Sequence, residues 1–406
     1  MQTINRSQLF QASCLALLVT GLSFGIRAGI LNKLGVDFGL DKAQLAAITA
    51  TAFWGFPLAV VIGGILVDII GMKKLLVLAF VFHLTGIILT VFARGYWTLF
   101  LSTLLIGMAN GTVEAACNPL VAGLYTENKT TKLNHFHLWF PSGIVIGTVL
   151  VFLLNKIGLS WQIQMASMLL PTVIYGYLFT NLNFPVTERV ASGVSYGGMT
   201  KALLNPLFIF MFICMLGTGT TELFTGQWID VLLKNVTDNA LLILTLDTGI
   251  MVVGRAFAKP VLKKVSPQTL LLVSASLAAI GIFMFSTVSG PLIYLAAIVF
   301  GMGVCFFWPT MLGFVNTNLP ETGALGLNLM GGAGMFAVSI FTLFMGGYYD
   351  RIVKEAGNDT LAGREVLRVT LIIPCILIVA FGGLVIYMQS RNKNNMMAKE
   401  VASPQV

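Results

Sequence analysis

The chain is 406 residues long, 57% hydrophobic, only 10% charged, and carries a formal net charge of +8. Its mean hydropathy of +0.88 and its apolar stretches, near the roughly 20 residues that cross a bilayer, exclude a soluble globular domain. The stretches are too long and too continuously apolar for barrel strands, and no basic run interleaved with aromatics supports nucleic-acid binding.

In chain order, the pattern predicts an all-α membrane protein with twelve transmembrane helices, over 9–34, 43–69, 74–93, 97–123, 133–155, 161–183, 206–232, 239–262, 268–287, 290–317, 324–348 and 366–388. The first follows Arg6, lacks a small-residue cleavage site and runs on through Arg27, so it reads as a retained span rather than a signal peptide. An even number of spans returns both termini to one side. Lys and Arg in the short loops favour that side as cytoplasmic, although Arg351, Lys354, Arg364 and Arg368 run against the trend. The expected setting is the plasma membrane, as a multi-pass monomer of a bacterial inner membrane. The five cysteines (Cys14, Cys117, Cys214, Cys305 and Cys375) lie in apolar segments without CxxC spacing, which argues against a disulfide framework or a zinc site.

The longest polar interruption, about 183–205, divides the spans six and six. The expected layout is a six-helix bundle over 1–183, a cytoplasmic linker over 184–205, a second bundle over 206–388, and a polar, disordered tail over 389–406. The halves echo each other. Gly111 to Pro119 and Gly301 to Pro309 share the spacing G-x7-P, and Leu133-Asn134 repeats as Leu327-Asn328. Parallel six-helix repeats recur among secondary transporters, which bind substrate between the halves near mid-bilayer.

Polar groups inside the spans are the candidate site. Asn110, Glu114 and Asn118 share one face of the fourth span at i, i+4 and i+8. A carboxylate at mid-bilayer costs roughly 2.5–3.5 kcal/mol, so this face is expected to look at protein or water rather than lipid. Arg27 in the first span is read either as a charge partner of Glu114 or as an anchor for an anionic substrate. His83 reads as a packing residue. His135 and His137 diverge on their helix, and His137, which shares a face with Asn134, is the substrate candidate. Thr218, Thr221, Glu222 and Thr225 form a polar face on the seventh span. There Glu222 is a second candidate for proton binding, and Gln227 and Trp228 suit a sugar. Asp247 and Arg255, two turns apart on the eighth span, are read as structural. Trp308 in the tenth span and Asn328 in the eleventh complete the substrate candidates, with Trp54 a weaker one. No metal site and no cofactor is expected beyond a coupling ion, a proton or else sodium.

The turn between the second and third spans reads Gly64-Ile65-Leu66-Val67-Asp68-Ile69-Ile70-Gly71-Met72-Lys73-Lys74. It resembles the G-x-L-x-D-x-x-G-x-K/R signature of the major facilitator superfamily, so Gly64, Asp68, Gly71, Lys73 and Lys74 are expected to act as a gating motif. Gly254-Arg255 also looks like that superfamily. Glu114, Asn118-Pro119 and Leu133-Asn134 are further similar to the fucose permease family of sugar:proton symporters. That resemblance implies proton coupling at Glu114 and a substrate-facing residue at His137, where the family carries a glutamine. It also implies an acid in the first span, where this chain has Arg27.

The expected function is therefore transport, not catalysis: proton-coupled symport of a sugar or similar small polar solute by alternating access. The lipid bilayer and that solute are the expected partners. The rival readings are an organic-anion carrier built on Arg27 and a non-transporting membrane sensor. No Walker pattern points to ATP hydrolysis.

Overall fold

The computed structural model describes residues 4–40, 42–187, 190, 191, 193, 196–226, 232–233 and 240–402. Within them the chain is helical almost throughout, and eleven helical segments are long and apolar enough to cross a membrane. The eighth span makes the twelfth crossing. It runs Ala240–Ala256, turns at Phe257, and continues as Ala258–Lys264.

Local chemistry sets the helix ends. The first span, Arg6–Phe38, starts where the Asn5 side chain accepts from Gln8 N. It stops at Gly39, whose φ of 61° lets its N–H close onto Gly35 and Val36. The seventh, Pro206–Gly219, opens on an Asn205 cap with Pro206 in its first turn. Gly71, with φ 85°, makes the turn between the second span, Lys42–Ile70, and the third, Met72–Val91.

The fourth span, Tyr96–Leu124, lies against the second and the third, and the first packs on the fifth and sixth. In the second half the ninth span, Pro267–Thr287, packs on the tenth and the twelfth, and the eighth packs on the tenth. Small residues permit these approaches. A Cβ on Gly111 would fall 2.2 Å from the Phe56 carbonyl oxygen, and one on Gly219 would fall 2.8 Å from the Gly334 Cα. Across the two halves, the second span meets the eleventh (Gly323–Ala356), and the fifth meets the eighth and tenth.

Several spans are broken, and the breaks matter. The fifth runs Lys129–His137 and then Trp139–Lys156, and the tenth runs Leu292–Val304 and then Phe307–Asn318. The seventh passes from α-helix, Pro206–Gly219, into a π-helical turn, Thr220–Phe224. Such turns gather at functional sites because they leave backbone groups off the regular ladder.

Two expectations are corrected. The twelfth helix, Asp359–Ala402, runs well past 388, so the segment read as a disordered tail is helical to Ala402. Residues 389–402 contain no Gly or Pro to stop it. The eleventh helix likewise continues to Ala356, which makes the expected outer loop a pair of helix ends. The linker carries a short helix, Tyr196–Leu203.

Candidate functional site

Proline decides where the backbone can be gripped. It has no N–H, so the carbonyl four residues earlier loses its helical partner. Pro119 frees Ala115, Pro141 frees His137, and Pro309 frees Cys305. Each of these carbonyls accepts a hydrogen bond from the second half. Asn328 Nδ2 donates to Ala115 O at 2.9 Å, Arg255 Nη1 to His137 O at 2.9 Å, and Arg255 Nε to Cys305 O at 2.6 Å.

Arg255 is the hub. Its remaining arm, Nη2, pairs with Glu222 Oε1 at 3.0 Å, so one fork ties the seventh, eighth and tenth spans to the fifth. Arg255 is 1% exposed. Asp247 is buried against Gly301 on the same face of the second half. Glu222 Oε2, Thr225 Oγ1 and Asp247 Oδ1 are buried without partners.

Glu114 is 6% exposed and faces protein, not lipid. Asn118 Nδ2 donates to its Oε2 at 2.5 Å, and Asn118 Oδ1 meets His137 Nε2 at 2.9 Å. Satisfying both contacts assigns Nε2 as the protonated nitrogen of a neutral imidazole. His137 Nδ1 then turns its lone pair toward Glu114 Oε1, 3.8 Å away. At 3.8 Å the two atoms are within electrostatic reach and beyond hydrogen-bond distance. Glu114, Asn118, His137, Arg255 and Glu222 therefore form one chain of polar groups that crosses between the halves.

The predicted polar face of the fourth span divides in two. Asn110 does not join Glu114. Its Oδ1 meets His83 Nε2 at 2.8 Å and its Nδ2 donates to Ser23 at 3.0 Å, while His83 Nδ1 meets the Tyr175 hydroxyl at 2.7 Å. All four residues belong to the first half, which makes Asn110 a bundle-internal residue rather than a lining one.

Arg27 is the larger correction. The Ser23–Asn110 bond fixes the register of the antiparallel first and fourth helices. From that level Arg27 lies four residues one way and Glu114 four the other, about 12 Å apart in depth at 1.5 Å per residue. They do not pair. Arg27 instead borders a small cleft lined by first-half residues alone, among them Ile48, Thr103 and Met165, so it does not look into the space between the halves.

At the end of the bundle that carries the chain termini, the halves are clasped. Asn134 Nδ2 reaches Thr310 Oγ1 at 3.4 Å, and Gly313 lies against Thr130. A Cβ on Gly64 would come within 2.8 Å of Asn328 Cβ. Asn134 and Asn328 are the repeated asparagines, each reaching the opposite half's proline-bearing helix. Nearer mid-membrane, the Trp54 and Phe336 rings meet edge-on at 6.3 Å, and Trp308 packs on Gly334 and Met215 with its Nε1 buried and unpartnered. In the motif turn, Asp68 accepts from the Thr187 hydroxyl and Lys73 Nζ donates to Leu182 O at 3.1 Å, which fastens the start of the linker; Lys74 is exposed. Gln227 and Trp228 lie outside the described residues.

The comparisons with known proteins fit this architecture. A family model described as Major Facilitator Superfamily matches residues 13–342. The chain belongs to the Major Facilitator Superfamily. Its membership makes it a multi-pass membrane protein of a transporter family and not an enzyme. Among curated proteins it is similar to the solute carrier family 2 facilitated glucose transporter member 10 of Danio rerio, at 25% identity over 164 residues, 40% of this chain and 32% of that protein. It is similar also to Myo-inositol transporter 1 of Candida albicans, at 23% over 194 residues, 45% of this chain and 34% of that protein. The chain thus matches about a third of the length of these relatives. Among solved structures, the E. coli fucose:proton symporter superposes with a TM-score of 0.71 at 15% identity, over 91% of this chain and 98% of that one. A nucleoside transporter, NupG, superposes at 0.62 and 14% identity, over 93% and 99%. At these identities the superpositions speak for the fold.

Sequence reasoning missed Arg255 as the centre of the site. It was weighed only against Asp247 on its own helix, and its real partners come from three other spans. The signals were present: a guanidinium in mid-span, an acid on the seventh span, and prolines four residues after the carbonyls it grips.

Proposed function

We propose that this protein is a secondary transporter that carries a sugar or similar small polyhydroxylated solute by alternating access, in symport with a proton held at Glu114. The observation that carries this reading is the polar chain from Glu114 through His137 to Arg255. Protonating Glu114 removes the negative charge that faces His137 Nδ1 from 3.8 Å and lets the pair close to a hydrogen bond, and the His137 carbonyl is gripped by Arg255 of the opposite half. A proton placed there acts on the contact that distinguishes one arrangement of the halves from another, which is what coupling requires. The names of the relatives, which transport glucose, myo-inositol and xylose, favour a sugar. Unpartnered Trp308 Nε1 and Thr225 Oγ1 are suitable donors and acceptors for hydroxyls.

With the termini in the cytoplasm, the clasped end is the inner gate, and the structure represents an outward-facing or occluded state. The fucose symporter was also solved in an outward conformation. The organic-anion alternative loses its basis with the placement of Arg27 inside one half.

The test is uptake into proteoliposomes against a panel of hexoses, pentoses and inositols, with and without an inward proton gradient. Gradient-driven accumulation of one of them is expected, and Glu114→Gln is expected to abolish it while leaving counterflow exchange. Accumulation by Glu114→Gln equal to wild type removes Glu114 from coupling. Gradient-driven uptake of carboxylates in place of sugars overturns the substrate class.

A further inference from the structure

Arg27 is a guanidinium deep in the membrane-spanning part of the first half. It is 9% exposed, its Nη2 is buried without a partner, and among the described residues no hydrogen bond or ion pair engages it. Buried charges are ordinarily paired, because an unpaired one loses its hydration without compensation. Among the described residues, the helices around it supply no pair. The third and sixth spans hold no acid at all. The first has only Asp37, ten residues on and bonded by Trp161 Nε1 at 2.6 Å. The second has only Asp68, held by Thr187 at the clasped end. The fourth has only Glu114, held by Asn118 about 12 Å, or two turns, away from Arg27 in depth.

What Arg27 does have is a cleft. Its walls are Ile30, Leu34, Ile48, Leu99 and other apolar side chains, with two hydroxyls, Thr90 and Thr103. The Thr90 hydroxyl is committed to Gly86 O at 2.8 Å. Thr103 is the lining hydroxyl free to donate. The cleft has room for about one water-sized occupant, and it lies toward the end of the bundle away from the termini, where the third span ends and the fourth begins.

We propose that Arg27 and Thr103 form a site for one small inorganic monovalent anion, chloride being the abundant one, within the first half and apart from the transport pathway. A guanidinium offers several N–H donors and a hydroxyl offers one more. Apolar walls strengthen the attraction by excluding competing water. The size of the cleft excludes carboxylates of metabolite size. The bound anion supplies the charge that the surrounding helices lack, and so stabilises the first half in every state of the transport cycle.

The test uses the purified full chain in detergent with gluconate as the background anion, and measures equilibrium binding of radioactive chloride. Saturable binding of one ion per chain is expected, displaced by bromide and not by lactate. It is expected to vanish in Arg27→Gln and to weaken at least tenfold in Thr103→Val. No saturable binding to the wild-type protein overturns the proposal, as does binding unchanged in both variants. Displacement by lactate as readily as by bromide also overturns it, since the cleft would then admit a carboxylate. Should Arg27→Gln fail to fold, Thr103→Val and the bromide–lactate pair decide the matter on folded protein. The transport reading stands or falls separately.

Discussion

Arg255 Nη1 donates to the backbone carbonyl of His137 across the boundary between the halves, at 2.9 Å, while its Nη2 holds Glu222 at 3.0 Å. One side chain thus answers to a proline-freed carbonyl in one half and to an acid in the other. Arg255→Lys keeps the charge but loses the fork, because an ammonium cannot hold three acceptors in this geometry. Arg255→Met goes further and strands Glu222 as a buried, unpaired acid, a loss of about 3–5 kcal/mol where such pairs have been broken. Restoring neutrality with Arg255→Met/Glu222→Gln is expected to recover most of that stability but none of the transport. Thermal unfolding midpoints of the singles and the double, read as a cycle, measure the coupling. A double variant no more stable than Arg255→Met would show that the pair is not what holds the site.

The prolines carry a prediction of their own. Pro309→Ala returns an N–H that competes with Arg255 for the Cys305 carbonyl, and Pro141→Ala does the same at His137. Both are expected to tighten their own helices while loosening the grip between halves. The combined sign is diagnostic: detergent stability unchanged or raised, with transport slowed. The check is a thermal midpoint beside an initial uptake rate. A fall in both together would mean that the kinks serve packing alone.

This relationship also marks where sequence legibility ended. Twelve apolar spans, the six-plus-six division and the motif turn follow from residue spacing, because bilayer thickness and backbone satisfaction leave few alternatives. Glu114, Asn118 and His137 were legible as a set because helical periodicity and nearness in sequence bring them together. Arg255, Glu222 and Cys305 come from three spans separated by long stretches of chain, and periodicity within a helix says nothing about rotation between helices. Arg27 shows the reverse error. Its position in the first span says neither its depth relative to the fourth nor which of two protein-facing sides it takes, one toward the other half and one toward its own bundle. Asn110 and Glu114 sit only about 40° apart on their helix, yet one turn of depth changes the neighbours: Asn110 meets Ser23 and His83, whereas Glu114 meets Asn118.

His137 stands where the resembling family carries glutamine. In His137→Gln an amide can still bond Asn118, but it offers no titratable nitrogen to Glu114. Solute affinity is expected to change by less than about threefold, under 1 kcal/mol, while gradient-driven accumulation falls toward equilibrium exchange. Binding by thermal shift and accumulation in proteoliposomes separate the two effects. Full coupling in His137→Gln would place the proton's partner elsewhere.

The clasp at the terminus end is open to direct attack. Asn328→Ala removes the bond to the Ala115 carbonyl, and Gly64→Val places side-chain atoms where a Cβ alone would lie 2.8 Å from Asn328 Cβ. A bond between membrane helices is worth about 0.6–1.7 kcal/mol, so Asn328→Ala should shift the balance toward the opened form roughly three- to eighteen-fold. A cysteine introduced at Thr130, in a Cys375→Ser background where the other native thiols are buried, reports the opening through its rate of labelling by a membrane-impermeant maleimide. Labelling no faster than in the parent would mean that the clasp is not a gate.

The cluster of His83, Asn110, Ser23 and Tyr175 makes the contrasting prediction, because every member lies within the first half. His83→Phe leaves the Tyr175 hydroxyl and the Asn110 carbonyl oxygen without their partner, an expected cost of about 1–3 kcal/mol for each group left unsatisfied. Nothing in that cluster changes partner when the halves move, so the loss is shared by every state of the cycle. His83→Phe should therefore lower the unfolding midpoint and the yield of protein, while the surviving protein keeps wild-type affinity and the same dependence of uptake on the proton gradient. Normalising uptake to folded protein makes the comparison. A selective loss of coupling at unchanged stability would move Asn110 and His83 from the scaffold into the transport pathway, and would rejoin the two parts into which the fourth span's polar face divides.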